Sequence, residues 1–264
     1  MDAGSSPVFL EQDQLLARHG VAHAFTNRLG GVSGGPYASL NLGLHVGDDP
    51  QAVWENRRRA LLAAGADPER LTLGEQVHGT GLRWVEPADC GAGAREASSA
   101  LAATDGLLTG QRGVVLGVLV ADCVPVLLAD PEAGLVAAVH AGWRGTAGRI
   151  AARAVEAMVS AGAQPSRILA AMGPSIGPCC YRVSPDLASH FASLFGQGVV
   201  CEEADGPHLD LRLANRQALL EAGLAEAHIS WHPPCTACAN DRYFSHRAQG
   251  GRAGRQAGLI WMPL

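Results

Sequence analysis

The sequence contains no lysine, and all 20 of its basic side chains are arginines. A P-loop ATPase needs the lysine of its phosphate-binding motif, and enzymes that use pyridoxal phosphate or another Schiff base need a lysine amine. The absence of lysine therefore argues against all of these classes. Arginine, which carries all the positive charge, binds anions through a planar guanidinium that does not lose its proton.

The sequence also lacks the features of a membrane protein or a nucleic-acid-binding protein. It has no run of about 18 consecutive apolar residues, which a transmembrane helix would need. The net charge is −5, and Arg57–Arg59 is the only block of basic residues, whereas nucleic-acid binding needs a basic surface. Residues Met1–Gly20 show no basic segment followed by an apolar one, so we expect no signal peptide. We therefore predict a cytoplasmic protein whose partners are neither membranes nor nucleic acids.

The seven cysteines do not have the spacing of a disulfide framework. Cys179-Cys180 and Cys235-x-x-Cys238 could together form an all-cysteine structural zinc site. A vicinal pair cannot easily turn both thiolates toward one ion, however, and a single CxxC motif is only moderately specific. Unpaired thiols in loops are therefore the favoured interpretation of these four residues.

The middle of the sequence has the pattern of strands that are buried on both faces. The apolar runs lie at Val114–Val120, Val124–Ala129 and Leu135–Ala141. An earlier strand is predicted near Ala22–Thr26. Helices are predicted from Pro50, where Asp48 and Asp49 offer capping groups, and after Thr146 as N-cap. This alternation, with no linker, predicts a single α/β domain over residues 1–264, with mixed β-sheets and outer helices.

Three polar residues, His78, Cys123 and His140, each follow or end a short apolar run. A free cysteine is commonly an ordinary core residue, and a buried histidine needs only hydrogen-bond partners. Together, however, two imidazoles and one thiolate supply three ligands and leave a fourth position open, as in a catalytic zinc site. The three residues are far apart in the sequence and form no short ligand motif, so spacing alone leaves both interpretations open.

Two aspartates lie near these residues in the sequence. Asp122 precedes Cys123, and Asp105 stands in the segment "ATDGLLT". Either carboxylate could cap a turn or orient a histidine, and for each alone the turn cap is the simpler interpretation.

A series of motifs resembles one known family. The motifs are "NLGLHVGDDP", "EQVHG", "TDGLLT", "VLVADCVPVLLAD", "AAVHAGWRGT", "AMGPSIGPCCYRV" and "RYFSHRAQGGRAGRQAGLIWM". In this order they resemble the YfiH-like laccase-domain family, described as polyphenol oxidases or purine nucleoside phosphorylases. The resemblance extends from about residue 22 to residue 264, and "ADCVP" and "HAGWRGT" are its most specific parts.

The resemblance implies that His78, Cys123 and His140 bind the metal, which we expect to be zinc. It also implies a layered α/β sandwich with mixed sheets. The implied activities are phosphorolysis of adenosine, inosine and methylthioadenosine, together with adenosine deamination, with no cofactor beyond the metal. The expected partners are therefore a purine nucleoside and phosphate, and we favour a monomer. One position departs from the family: Arg182 follows "CCY", where an acidic residue is usual, so no role of that carboxylate is carried over.

Roles for further residues follow from the chemistry of these substrates. Arginine binds phosphate through two parallel hydrogen bonds, and the candidates for this role are Arg57 and Arg144. Asn41 and Gln76 are candidates to orient the ribose or the base. Trp143 and Tyr181 are candidates to stack on the purine, although aromatic residues near a core more often only pack.

Three other functions are alternatives to the phosphorylase. Cys123 could act as a nucleophile with His140 as its base, in a cysteine hydrolase or amidase that edits peptidoglycan precursors. A copper polyphenol oxidase is less favoured, because the sequence has no His-x-His pair with which to build a multicopper centre. A metal-stabilised binding module without activity is the third.

Overall fold

The computed structural model describes residues 7–264. Its strands are β1 (Leu10–Glu11), β2 (Ala22–Thr26), β3 (Leu71–Leu73), β4 (Leu82–Trp84), β5 (Gly106–Thr109), β6 (Val115–Val120), β7 (Val124–Asp130), β8 (Leu135–Ala141), β9 (Leu169–Met172), β10 (Val200–Glu203), β11 (Gly206–Leu209), β12 (Ile229–Ser230) and β13 (Gln256–Trp261). Its α-helices are α1 (Gln14–Arg18), α2 (Pro50–Ala63), α3 (Trp143–Ala147), α4 (Ile150–Ser160), α5 (Pro185–Phe195) and α6 (Leu211–Glu221).

Two mixed sheets contain most of the strands. The five-stranded sheet has the order β1-β2-β13-β6-β3, and the six-stranded sheet has the order β12-β9-β7-β8-β5-β4. The β3–β6, β4–β5 and β9–β12 pairs are parallel, and the other pairs in these two sheets are antiparallel. Strands β10 and β11 form a separate antiparallel pair. Because β6 and β7 are consecutive but belong to different sheets, the short turn between them crosses from one sheet to the other.

The period-two alternation of strand side chains explains how the layers pack. On β8, Val136 and Ala138 join the core between the two sheets, whereas Ala137 and Val139 join the core formed with α4, α5 and α6. The outer face of the five-stranded sheet packs in the same way against α2, through residues such as Leu61. The chain is therefore layered as helix, sheet, sheet and helices, which confirms the predicted mixed α/β sandwich with outer helices.

The predicted elements agree with the structure where the apolar pattern is strong. Strands β2, β6, β7 and β8 lie within one residue of the predicted runs, and α2 begins at Pro50 with Asp49 as its N-cap. The predicted N-cap Thr146 is wrong, because it lies inside α3 and α4 follows only at Ile150. Within residues 7–264, no helix has both the length and the apolar character needed to cross a bilayer.

Candidate active site

His78, Cys123 and His140 converge at the edge where the two sheets meet. His78 follows β3 in a loop, Cys123 occupies the turn that crosses between β6 and β7, and His140 lies near the end of β8. The ligand atoms of the three residues all lie within 4.8 Å of one another. Around a single tetrahedral zinc ion, nitrogen and sulfur ligands lie about 3.4–3.6 Å apart, so this geometry fits one metal ion. Two imidazoles and one thiolate leave a fourth coordination position open.

Asp105 holds both histidines in place. The Nδ1–H of His140 donates to Asp105 Oδ1 at 2.8 Å, which leaves Nε2 as the ligand atom. The same carboxylate accepts the backbone N–H groups of Val77, His78 and Gly79 at 3.2, 2.9 and 2.7 Å. One buried carboxylate therefore fixes the ring of His140 and the loop that carries His78.

The hydrogen bonds also compensate for backbone strain at His78. This residue has a φ of 60°, in the left-handed region that non-glycine residues rarely adopt. The three N–H groups bonded to Asp105 hold the loop in that conformation. Such strain is typical of residues whose position is determined by function, and here it brings the imidazole to Cys123.

Charges at the site favour the thiolate form of Cys123. Burial alone would raise the pKa of this thiol, but the nearby His140 charge and the hydrogen bonds from His140 and His78 outweigh that effect. The pKa of Cys123 is therefore lowered to about 6. Metals bind the thiolate, so the thiol is prepared either for a metal ion or for nucleophilic chemistry.

Asp122 has a different role from Asp105. Its backbone φ is 92°, and its carboxylate accepts from the Thr236 hydroxyl and from the N–H of Arg247, both at 2.7 Å. It therefore ties the Cys123 turn to the segment that carries His246 and Arg247.

A cavity of about 440 Å³ opens at His78, Cys123 and His140. The residues that line it are His45, Gln76, His78, Leu119, Val120, Ala121, Asp122, Cys123, His140, Trp143, Arg144, Ile176, Tyr181, Leu211, His246, Arg247 and Arg255. Three guanidinium groups face it, whereas Asp122 is the one carboxylate in its lining. The cavity has the size of a small-molecule site, and its charge favours an anionic ligand.

Four of the residues predicted to bind substrate line this cavity. Arg144 stacks on Trp143, with its guanidinium carbon 4.3 Å from the ring centroid, and Arg247 covers Tyr181 in the same manner at 5.3 Å. Gln76 also lines the cavity, but both polar atoms of its side-chain amide already form hydrogen bonds within the protein. It donates to the carbonyl of Leu119 and accepts from the Leu119 N–H, both at 2.8 Å, so Gln76 mainly joins its loop to β6.

The structure contradicts the predicted substrate role of Arg57. The side chain is buried, with 2% of its surface exposed, and it does not line the cavity. Its guanidinium donates to the carbonyl oxygens of Leu42, Gly93 and Ala94 at 2.6–2.8 Å. Arg57 therefore ties two loops to α2 and is not available to phosphate.

The predicted role of Asn41 is contradicted in the same way. Asn41 is fully buried, and its amide bonds to the backbone of Gly43 and Arg255 and to the carboxylate of Asp48. Both polar atoms of its side-chain amide are used within the protein. Its contribution is to hold the loop that ends at His45 against the segment of Arg255.

Four polar residues of the cavity were not identified from the sequence: His45, His246, Arg247 and Arg255. All four lie in the motifs "NLGLHVGDDP" and "SHRAQGGRAGRQ", which contributed to the family resemblance without being interpreted individually. Polar residues in glycine-rich segments carry no hydrophobic period, so the pattern could not show which way they face.

The chain is similar in sequence to characterised proteins. The sequence model of a family described as multi-copper polyphenol oxidoreductase laccase matches residues 22–263. A purine nucleoside phosphorylase, YlmD, of Geobacillus stearothermophilus is 42% identical over 91% of this chain and 90% of its own length. An adenosine deaminase, RL5, of an unknown prokaryotic organism is 39% identical over 88% of this chain and 90% of its own.

The fold is similar to that of a solved relative. The crystal structure of YlmD from Geobacillus stearothermophilus superposes with a TM-score of 0.91 at 39% identity, covering 98% of this chain and 100% of that one.

Proposed function

The chain belongs to the multi-copper polyphenol oxidoreductase laccase family, and we propose that it is a zinc-dependent purine nucleoside phosphorylase that also deaminates adenosine. The observation that carries the proposal is the open His-Cys-His site on an arginine-lined cavity. Its relatives at about 40% identity, named as phosphorylases and a deaminase, support the same substrate class.

Phosphorolysis requires an anion to be held beside the sugar. A phosphate oxygen attacks the anomeric carbon of the nucleoside, the glycosidic bond breaks, and the purine leaves with its bonding electrons and takes up a proton. Arg144 is suited to hold the phosphate, because it lines the cavity and forms no side-chain hydrogen bond with any residue in 7–264. Two of its three guanidinium nitrogens are therefore available for a bidentate contact with phosphate.

The metal site lies in the same cavity as Arg144. Two imidazoles and one thiolate suit zinc, and a bound zinc ion would supply a Lewis acid beside the substrate. His78, Cys123 and His140 would hold it, and Asp105 keeps Nε2 of His140 free for it. Trp143 and Tyr181 offer ring surfaces to the purine, and Arg247 and Arg255 add positive charge for phosphate.

Copper polyphenol oxidase activity is less well supported by the residues. Within residues 7–264, only two groups of metal-ligating side chains come together, and only one of them contains histidine. That group has two imidazoles, whereas a trinuclear copper centre needs several more. The cysteine hydrolase is the stronger of the two alternatives, because the pKa of Cys123 is lowered and a histidine lies beside it.

The function is tested by incubating the purified protein with adenosine, with and without phosphate. We expect adenine and ribose 1-phosphate only when phosphate is present, and inosine with ammonia in its absence. Chromatography of the products separates the two reactions. A protein that gives neither adenine nor inosine, with zinc bound, would overturn the proposal.

Replacement of Arg144 by alanine is expected to raise KM for phosphate by about 10- to 100-fold. A charged hydrogen bond contributes about 1.5–3 kcal/mol, and its loss affects the anion and not the nucleoside. Initial rates at varied phosphate and fixed saturating adenosine give the KM for phosphate. Arg144→Lys should raise this KM less than Arg144→Ala does, because the positive charge remains.

The matched control is Arg58→Ala, since Arg58 is exposed on α2 and pairs with Glu55. This variant should leave the KM for phosphate and the KM for adenosine unchanged. An Arg144→Ala enzyme with wild-type KM for phosphate would remove Arg144 from the proposed anion site.

A further inference from the structure

The structure brings a second group of metal-ligating residues together, outside the cavity. Cys179 and Cys180 lie in a turn after β9, and Cys235 and Cys238 lie in the loop between β12 and β13. The four sulfur atoms all lie within 4.8 Å of one another. Cys238 Sγ is 3.5 Å from Cys179 Sγ and 3.4 Å from Cys180 Sγ. Residues 58 or 59 positions apart therefore meet at one point.

The four cysteines are free and lie in loops, as the sequence favoured, but they converge in space, which the sequence did not indicate. The preference for unpaired thiols rested on a vicinal pair being unable to turn both sulfurs toward one ion. Consecutive side chains oppose each other in a strand, but residues 177–181 form a turn, in which the N–H groups of Cys180 and Tyr181 both donate to the carbonyl of Gly177. In the turn both sulfurs reach Cys238.

Hydrogen-bond donors lie around the loops that carry the four cysteines. Cys235 Sγ accepts the N–H of Gly177 at 3.2 Å. The Arg212 guanidinium donates to the carbonyls of Ser175 and Pro234, one in each of the two cysteine-bearing loops. Backbone donors and a nearby cation are the usual support of a thiolate metal ligand.

We propose that Cys179, Cys180, Cys235 and Cys238 bind a structural zinc ion as a closed four-thiolate site. Four sulfurs at about 2.3 Å from a tetrahedral zinc lie about 3.8 Å apart, in accord with the observed separations. Four thiolates so close together repel one another unless a cation lies between them, and soft thiolate donors select zinc among the common divalent ions. With four protein ligands the ion has no open position, so it takes no direct part in a reaction.

The site stabilises one wall of the cavity. Tyr181 follows Cys180 directly and lines the cavity, and Arg247, which lines it too, donates to the carbonyls of Cys180 and Arg182. Thr236, beside Cys235, donates to Asp122. A zinc ion at the four cysteines would therefore fix the position of Tyr181 and Arg247 without contacting substrate. The proposal does not depend on the identity of the reaction in the cavity.

The wild-type protein tests the proposal directly. Native protein is treated with iodoacetamide, and each cysteine is mapped by mass spectrometry, with Cys90 and Cys201 as internal reference thiols outside both clusters. We expect all four clustered cysteines to resist alkylation until a chelator is added, and metal analysis to show a zinc ion that remains bound in Cys123→Ser protein. Protection that is released by a reductant and not by a chelator would mean disulfides and would overturn the proposal, as would four cysteines that react at once.

A variant tests the structural role of the ion. Cys235→Ser should lose one zinc per chain and lower Tm by about 10 °C, because binding a structural zinc contributes directly to folding. The matched control, Cys201→Ser, should keep its zinc and its Tm. Unchanged zinc content in Cys235→Ser would contradict the proposal. If this variant does not fold, cobalt substitution in Cys123→Ser protein decides, because the four-cysteine cluster is then the one candidate site with sulfur ligands within residues 7–264. The absence of intense sulfur-to-metal charge-transfer bands would overturn the assignment.

Discussion

Replacement of Cys123 by serine is expected to lower kcat/KM for adenosine phosphorolysis by about 10³-fold or more, because a catalytic metal contributes several kcal/mol of transition-state stabilisation. Serine is close in size to cysteine but is not ionised at neutral pH, so the site would be left with two imidazoles and no thiolate. The metal of this site should be lost at the same time. Steady-state kinetics and metal analysis of the same preparation check both effects.

His78→Ala distinguishes a metal site from a thiol nucleophile. If the three residues bind one ion, His78→Ala should lose activity and metal to nearly the same extent as Cys123→Ser. If Cys123 is a nucleophile paired with His140, His78→Ala should keep most of the activity, and iodoacetamide should inactivate the wild-type enzyme quickly. Cys201→Ser, which changes a cysteine outside both clusters, controls for the loss of a thiol as such.

The strands and the convergence of the three candidate ligands are connected with one signal in the sequence. Strands β6, β7 and β8 are almost continuously apolar, so their bounds follow from the pattern, and a polar residue near a strand end stands out against it. Cys123 and His140 were identified in this way. That the turn after β6 crosses to the other sheet, and so brings Cys123 to His78, depends on pairings between residues far apart in sequence.

The roles of the arginines could not be predicted in the same way. Arg57 and Arg144 look alike in the sequence, and their functions differ because of what lies opposite each side chain. The loops at Leu42 and at Gly93–Ala94 place three carbonyls around Arg57, whereas Arg144 faces a cavity. The partners of a guanidinium are set by tertiary structure, and a helix pattern shows only which face is apolar.

Asp105→Asn is expected to weaken metal binding at the His78–Cys123–His140 site by about 10- to 100-fold, with a matching fall in activity at limiting zinc. The carboxylate accepts four hydrogen bonds, one from His140 and three from the backbone around His78. An amide of the same shape has a single acceptor oxygen, and its NH2 group would face an N–H donor. The charge that supports His140 as a ligand is lost as well. Competition with a chromophoric chelator measures the affinity, and kcat at saturating zinc should recover in part.

Asp130→Asn provides the control that separates positioning from stability. Asp130 is also fully buried, accepts the N–H groups of Glu132, Ala133 and Gln164, and pairs with Arg167, but it lies at the end of β7 opposite to Cys123. Both variants remove a buried carboxylate with several hydrogen bonds, so both should lower Tm. Only Asp105→Asn should lower metal affinity. If the two variants lose stability alike and both keep wild-type affinity for zinc, Asp105 contributes only to the stability of the fold. The orientation of His78 and His140 must then be maintained by the packing around them.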